Sequence, residues 1–241
     1  MPTIGFIYPD HAAEDDYPRA AALLDAALPV AHIYGTDLHA IAELLDLGSP
    51  EKLSHGASLL APAQPDAVVW ACTSGSFVYG TEGARGQVDS LAAAAGVPAS
   101  STSFAFVEAA RALGVRRVAV VASYPEDVAR LFVDFLADAG IEVVSLSSAG
   151  IDTAAEVGTL TPDQVLALAV ANDHAEAQAL LIPDTAMHTL EVLPKLEAAL
   201  GKPVLTANQV TIWEGLRLAG VTPFAPELGA LFAQESRHVD H

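Results

Sequence analysis

A repeat within the chain constrains the fold more than any other feature of the sequence. GVPASSTSFAFVEAARALGV (96–115) and GKPVLTANQVTIWEGLRLAGV (201–221) differ in length by one residue, and each ends in Gly-Val after a helical pattern. Upstream, PDAVVWACTSGS and AQALLIPDTAMH each set a strand before a polar turn, so that Cys72-Thr73 corresponds to Asp184-Thr185. The openings correspond as well: residues 5–10 and 119–125 are strand patterns that end in Tyr-Pro ahead of acidic residues. A period of about 115 residues is far above the ~20–50 of stacked-repeat proteins, so the chain divides into two like halves. The repeat places them at 1–115 and 116–221, with 222–241 left to pack back on the first.

Within each half, short apolar runs alternate with longer helical patterns, the mark of parallel strands joined by crossover helices. Strands are expected at 3–8, 30–34, 67–71, 118–122, 142–146 and 179–182, with shorter ones near Ala99 and Val204. Helices are expected at 126–139, where Val128, Leu131, Phe132 and Phe135 mark an apolar face, and at 161–172, where Thr161 caps and Pro162 fills the first turn. The fold class is therefore α/β, two pseudo-symmetric flavodoxin-like half-domains, each a small parallel sheet flanked by helices. A hydrophobic content of 52% supplies the cores.

Charge and cysteine usage narrow the partners. A net charge of −19 with no cluster of Lys or Arg repels a phosphate backbone, so nucleic acid is not expected. No apolar run approaches the ~18 residues of a membrane span. The start MPTIGFIYPD lacks a basic segment and breaks at Pro9, which reads as a strand and not as a secretion signal. The lone cysteine can form neither an internal disulfide nor a cysteine zinc cage, and it suits a reducing cytoplasm.

In parallel sheets, ligands bind at the carboxyl ends of the strands, and the unusual residues collect there. Pro9, Asp10 and His11 follow the first strand, Cys72 to Ser76 the third, and Tyr124 and then Asp184-Thr185 follow strands of the second half. If the halves face each other about a pseudo-twofold axis, Cys72 and Asp184 stand on opposite walls of one cleft. The hydroxyls and N–H groups of residues 73–76 can hold a carboxylate or stabilise a thiolate, which is scarce at neutral pH against a usual pKa of about 8.5. The plain alternatives are an inert buried cysteine, turn-capping Thr and Ser, a half-buried ring at Tyr124, and an Asp184 that caps a helix starting near Met187. His39 and His55 read as helix-surface residues, His188 as a surface histidine in reach of the pocket, and residues 77–84 as a flap able to close over the cleft. No histidine pair has metal-ligand spacing, and no glycine pattern supports a nucleotide cradle.

The opening residues 2–7, the turn Ala71-Cys-Thr-Ser-Gly-Ser-Phe77, the segment 112–119, Tyr124 ahead of Asp127-Val128, the run 180–185 and the strand 201–204 together resemble the Asp/Glu racemase superfamily. The likeness is greatest to its maleate cis-trans isomerase and arylmalonate decarboxylase branch. The resemblance implies two half-domains, each contributing one cysteine position, around a buried site for a small carboxylate, with no metal or organic cofactor and with homo-oligomers among its members. Cys72 matches the first-half cysteine that racemases use as an acid/base thiol and maleate isomerases as a nucleophile, where the decarboxylases have glycine. Asp184 falls where a second cysteine is expected, which weighs against a symmetric two-thiol racemase. Thr73, Ser74 and Tyr124 match positions that donate to the substrate carboxylate or its enediolate, and Thr185 stands where a further donor is expected.

These residues lead to an isomerase of a small unsaturated dicarboxylate with Cys72 adding to the double bond as nucleophile. The alternative is a decarboxylase of malonate-type acids in which Cys72 donates the proton, inverting the product hand. A non-catalytic carboxylate-binding protein and a racemase using Cys72 and Asp184 as unequal bases complete the set.

Overall fold

The structure is a computed structural model in which residues 1–9, 12–35 and 37–234 are described. The first half contains β1 (Ile4–Pro9), α1 (Asp16–Ala21), β2 (Val30–Ile33), α2 (Ile41–Leu47), α3 (Pro50–Leu60) and β3 (Ala67–Trp70). It continues with α4 (Ser74–Phe77), α5 (Gly80–Ala95), β4 (Ala99–Ser101) and α6 (Thr102–Ala112). The second half runs β5 (Arg117–Ala122), α7 (Glu126–Asp138), β6 (Glu142–Ser148), α8 (Ala154–Val157), α9 (Pro162–Ala171) and β7 (Ala179–Ile182). It closes with α10 (Leu193–Leu200), β8 (Val204–Thr206) and α11 (Ala207–Leu218).

Among the described residues the strands form two four-stranded sheets, ordered β2-β1-β3-β4 and β6-β5-β7-β8. Every pairing is parallel, and the two orders are the same order repeated. The central strands β3 and β7 are buried along their whole length, as continuous apolar runs in a covered parallel sheet must be. The helices follow local chemistry. Thr161 caps α9 in a reciprocal capping box with Gln164, and Pro162 takes the first helical position. In α7, Val128, Phe132 and Phe135 are buried and Leu131 is half-buried, each buried ring or branched chain stabilising by about 1.5–3 kcal/mol.

The repeat helices α6 and α11 tie the halves together. The Ser101 hydroxyl caps α6, the Thr206 N–H that opens α11 donates to the Gln209 side chain at 3.0 Å, and the Thr102 and Thr211 hydroxyls meet at 2.6 Å. Gly215 of α11 lies against Ile4 and Val69 of the first sheet, while Phe104 and Phe106 of α6 pack on Phe135 and Phe132 of α7. Each helix is thus wedged against the other half. The described part of the segment after residue 221 is anchored on α10 and α11. There Gln209 donates to the Leu228 carbonyl at 2.8 Å, the Ala230 N–H reaches the Glu197 carboxylate at 3.0 Å, and Leu228, Leu231 and Phe232 are buried.

The flap expected at 77–84 is absent. Residues 74–77 form α4 and α5 begins at Gly80, with Phe77 buried against Tyr124 and Phe132. The extra length relative to the second half is helix, packed from within by an aromatic side chain.

Candidate active site

The carboxyl ends of both sheets open on one cavity of about 370 Å³. Its walls include Tyr8 and Pro9 at the end of β1, His39 after β2, Cys72 and Ser74 after β3, and Asp184 and Thr185 after β7. Pro9, Cys72, Ser74, Asp184 and Thr185 are therefore brought together at one cavity. Thr73 and Tyr124 are buried outside the cavity wall. Asp10 and His11 lie outside the described residues.

Cys72 follows a strand with no exposed residue and precedes the short helix α4, whose Gly75 N–H donates to its Sγ at 3.3 Å; the Ser74 hydroxyl is 3.8 Å from the sulfur. Only glycine fits at 75, because a Cβ there would stand 2.9 Å from Trp70 Cζ2 and 3.1 Å from the sulfur. Burial pushes the thiol up to about 11 against these donors, and the Asp184 charge adds to the rise.

Asp184 does not cap a helix, since α10 starts at Leu193. Its Oδ1 accepts the Ala186 N–H at 2.9 Å and its Oδ2 accepts the Ser123 hydroxyl. The peptides beside it are pinned by hydrogen bonds to their carbonyls. Tyr124 donates to the Pro183 carbonyl, Tyr8 to the Thr185 carbonyl at 2.6 Å, and Asn208 to the same Thr185 carbonyl at 3.1 Å. Tyr124 thus holds the turn that carries Asp184. Burial first, and then Asp184, push its phenol well above 10. Thr73 has no exposed surface.

His39 is the site residue that sequence reasoning missed. It is buried, its Nδ1 donates to the Ile151 carbonyl at 3.0 Å, and its Nε2 stands 3.8 Å from Asp184 Oδ2. The signal was its position after β2, the same strand end at which the other site residues were sought. His188 sits elsewhere, paired with Asp15 at 2.8 Å. Among the described residues no three His, Cys, Asp or Glu side chains converge as a metal set, and no helix is long and apolar enough to cross a membrane.

Two parallel sheets of one strand order, with a thiol and a carboxylate lining the cleft between them, define a two-half α/β protein built around a thiol–carboxylate cleft. The sequence profile of the arylmalonate decarboxylase family matches residues 22–232. Arylmalonate decarboxylase of Bordetella bronchiseptica is 32% identical over 246 residues, covering 96% of both chains. The chain belongs to the arylmalonate decarboxylase and maleate isomerase family of the Asp/Glu racemase superfamily. Among solved structures, a liganded arylmalonate decarboxylase variant with one glycine changed to cysteine and one cysteine to serine superposes with a TM-score of 0.88. It shares 27% identity and covers 98% of this chain and all of that one. A cysteine-to-serine mutant of Nocardia farcinica maleate cis-trans isomerase, with a covalently bound succinylcysteine intermediate, gives a TM-score of 0.87 at 25% identity, covering 98% of this chain and 99% of that one.

Proposed function

We propose that the protein is a decarboxylase of malonate-type acids in which the Cys72 thiol protonates the carbanion left by carbon dioxide. The observation that carries this reading is the placement of the thiol, buried at the cavity wall with the Gly75 N–H and the Ser74 hydroxyl beside its sulfur. Burial raises its pKa, to about 11, so the resting group at neutral pH is the protonated thiol, an acid. The near full-length likeness to an arylmalonate decarboxylase supports the same choice over the isomerase that the sequence placed first.

In this reaction the bond from the central carbon to one carboxylate breaks and carbon dioxide leaves. The electron pair passes into the remaining carboxylate as an enediolate, and the S–H proton moves to the carbon. A proton from solvent then restores the thiol. Leu38, Leu44 and Leu47 give the cavity an apolar side for the departing neutral molecule, and the Ser74 hydroxyl beside the sulfur is placed to donate to the enediolate. Because the thiol stands where the decarboxylases have glycine, the product has the opposite hand from theirs. The cysteine-for-glycine, serine-for-cysteine relative is a protein in which the same kind of exchange has been made.

The test is release of carbon dioxide from phenylmalonate, together with the enantiomer formed from a 2-methyl-2-arylmalonate. Turnover that is lost in Cys72→Ser supports the reading; turnover that survives it removes Cys72 from the chemistry. A second reading, cis-trans isomerisation of maleate through a Cys72 adduct, is favoured by the succinylcysteine found in the Nocardia relative. It requires the bound ligand to draw the thiol into its thiolate form, and conversion of maleate to fumarate at a rate above that on phenylmalonate would select it.

A further inference from the structure

The cavity poses a charge problem for any carboxylate ligand. Its walls carry two aspartates, Asp37 and Asp184, and no lysine or arginine among the described residues. Lys52, which approaches Gly35, is paired with Asp46 at 2.5 Å. Cys72, Tyr8 and Tyr124 are all held in their uncharged forms at neutral pH by burial. Within the described wall, His39 is therefore the group able to become a cation.

The surroundings of His39 fix where that charge forms. The Ile151 carbonyl, 3.0 Å from Nδ1, can only accept, so the first ring proton sits on Nδ1 and Nε2 carries the lone pair. Asp184 Oδ2 lies 3.8 Å from Nε2, outside hydrogen-bonding distance, and is itself satisfied by Ser123. Tyr124 meets the ring edge-on, with centroids 5.0 Å apart. The Asp152 carbonyl accepts the His39 main-chain N–H at 2.7 Å while the Asp152 side chain is exposed. A proton arriving at this ring thus appears on Nε2, the nitrogen directed toward Asp184.

We infer that His39 is the residue that lets this cavity hold a carboxylate, by taking up one proton on Nε2 as the ligand binds and donating it to the ligand or to Asp184. The ligand enters as an anion with one proton from solvent, and no covalent bond changes. Without that proton the anion faces the buried Asp184 and the half-buried Asp37 across the cavity. The inference rests on the reading of the cavity as a carboxylate site and adds the residue that selects for charge.

The experiment is calorimetric titration of the full chain with succinate and with phenylacetate, in two buffers of different ionisation heat, across pH 6 to 9. Binding is expected to take up close to one proton per ligand where His39 is neutral, with the apparent Kd weakening about tenfold per pH unit there. In His39→Gln the uptake disappears and binding at pH 6 weakens at least tenfold; in Asp184→Asn affinity at pH 8 rises. Asp16, which titrates at about 6 but lies off the wall, is separated by Asp16→Asn, in which uptake persists. Nitrogen NMR of the wild-type imidazole, showing Nε2 protonation on ligand addition, reads the same event without a variant. Binding without proton uptake, uptake that persists in a folded His39→Gln, or no binding at any pH overturns the inference. Phenylmalonate turnover is read in parallel: turnover with no uptake removes this inference alone, and uptake with no turnover removes the proposed decarboxylation alone.

Discussion

His39 Nε2 stands 3.8 Å from Asp184 Oδ2, although one residue follows a strand of the first sheet and the other a strand of the second. The contact belongs to a clasp over the cleft. The His39 N–H donates to the Asp152 carbonyl at 2.7 Å, the Ala154 N–H donates to the Asp37 carbonyl at 2.9 Å, and Leu38 and Thr153 form an antiparallel bridge. Cleft geometry is thereby set by main-chain bonds between the halves, which holds the thiol and carboxylate walls in one register.

Replacing Cys72 by serine keeps the size of the side chain and removes the acidic proton. Decarboxylation is expected to fall by about 10²–10⁴ in kcat, the usual contribution of a positioned acid, with the thermal midpoint changed by less than about 5 °C. Initial rates of carbon dioxide release and a melting curve on one preparation decide it.

Gly75→Ala tests how tightly the sulfur is held. The new methyl meets Trp70 at 2.9 Å and the sulfur at 3.1 Å, so either the thiol or the indole must move. Overpacking is expected to cost about 1–3 kcal/mol of stability and to lower kcat more than it raises KM. A variant as stable and active as the parent would show that the contact relaxes freely.

Asp16 gives the fold a pH dependence of defined sign. Burial raises its carboxyl to about 6, against the hydrogen bonds from Asn208, Thr189 and Leu190. The folded state therefore binds the proton more tightly than the unfolded chain. The contribution is fully present below about pH 4 and is lost as pH rises through 6, on the order of 3 kcal/mol. Denaturant titrations from pH 4 to 8 should show this fall in the parent and a flatter profile in Asp16→Asn; parallel profiles would exclude Asp16 as its source.

Gly215→Ala places a methyl 2.4 Å from Ile4 Cγ2, between α11 and the first sheet. A loss of about 1–3 kcal/mol in unfolding free energy is expected, with a single transition retained because the halves share this contact. Two separated transitions would contradict the interlocked packing.

The fold was legible because its signals are local and repeated. The apolar run at 179–182 and the Thr161-Pro162 cap each dictate their element, and the likeness of 96–115 to 201–221 implied two sheets of one order. The site was legible at Cys72 and Asp184, which stand at corresponding strand ends. His39 was not, because its role depends on Ile151 and Asp184, more than 110 and 140 residues away, and nothing near it in the chain marks burial. Residues 77–84 misled for the converse reason. Their glycines suggest a loose segment, and the anchoring of Phe77 on Tyr124 and Phe132 is a long-range contact.

The seating of Gly215 against Ile4 and Val69 carries a consequence for biosynthesis. The ribosome delivers the amino-terminal sheet more than a hundred residues before the helix that covers that patch. Through this interval Ile4 and Val69 lack their native cover, so the nascent chain has an apolar face to shield until α11 emerges. Severing the chain between the two repeats would make that temporary exposure permanent.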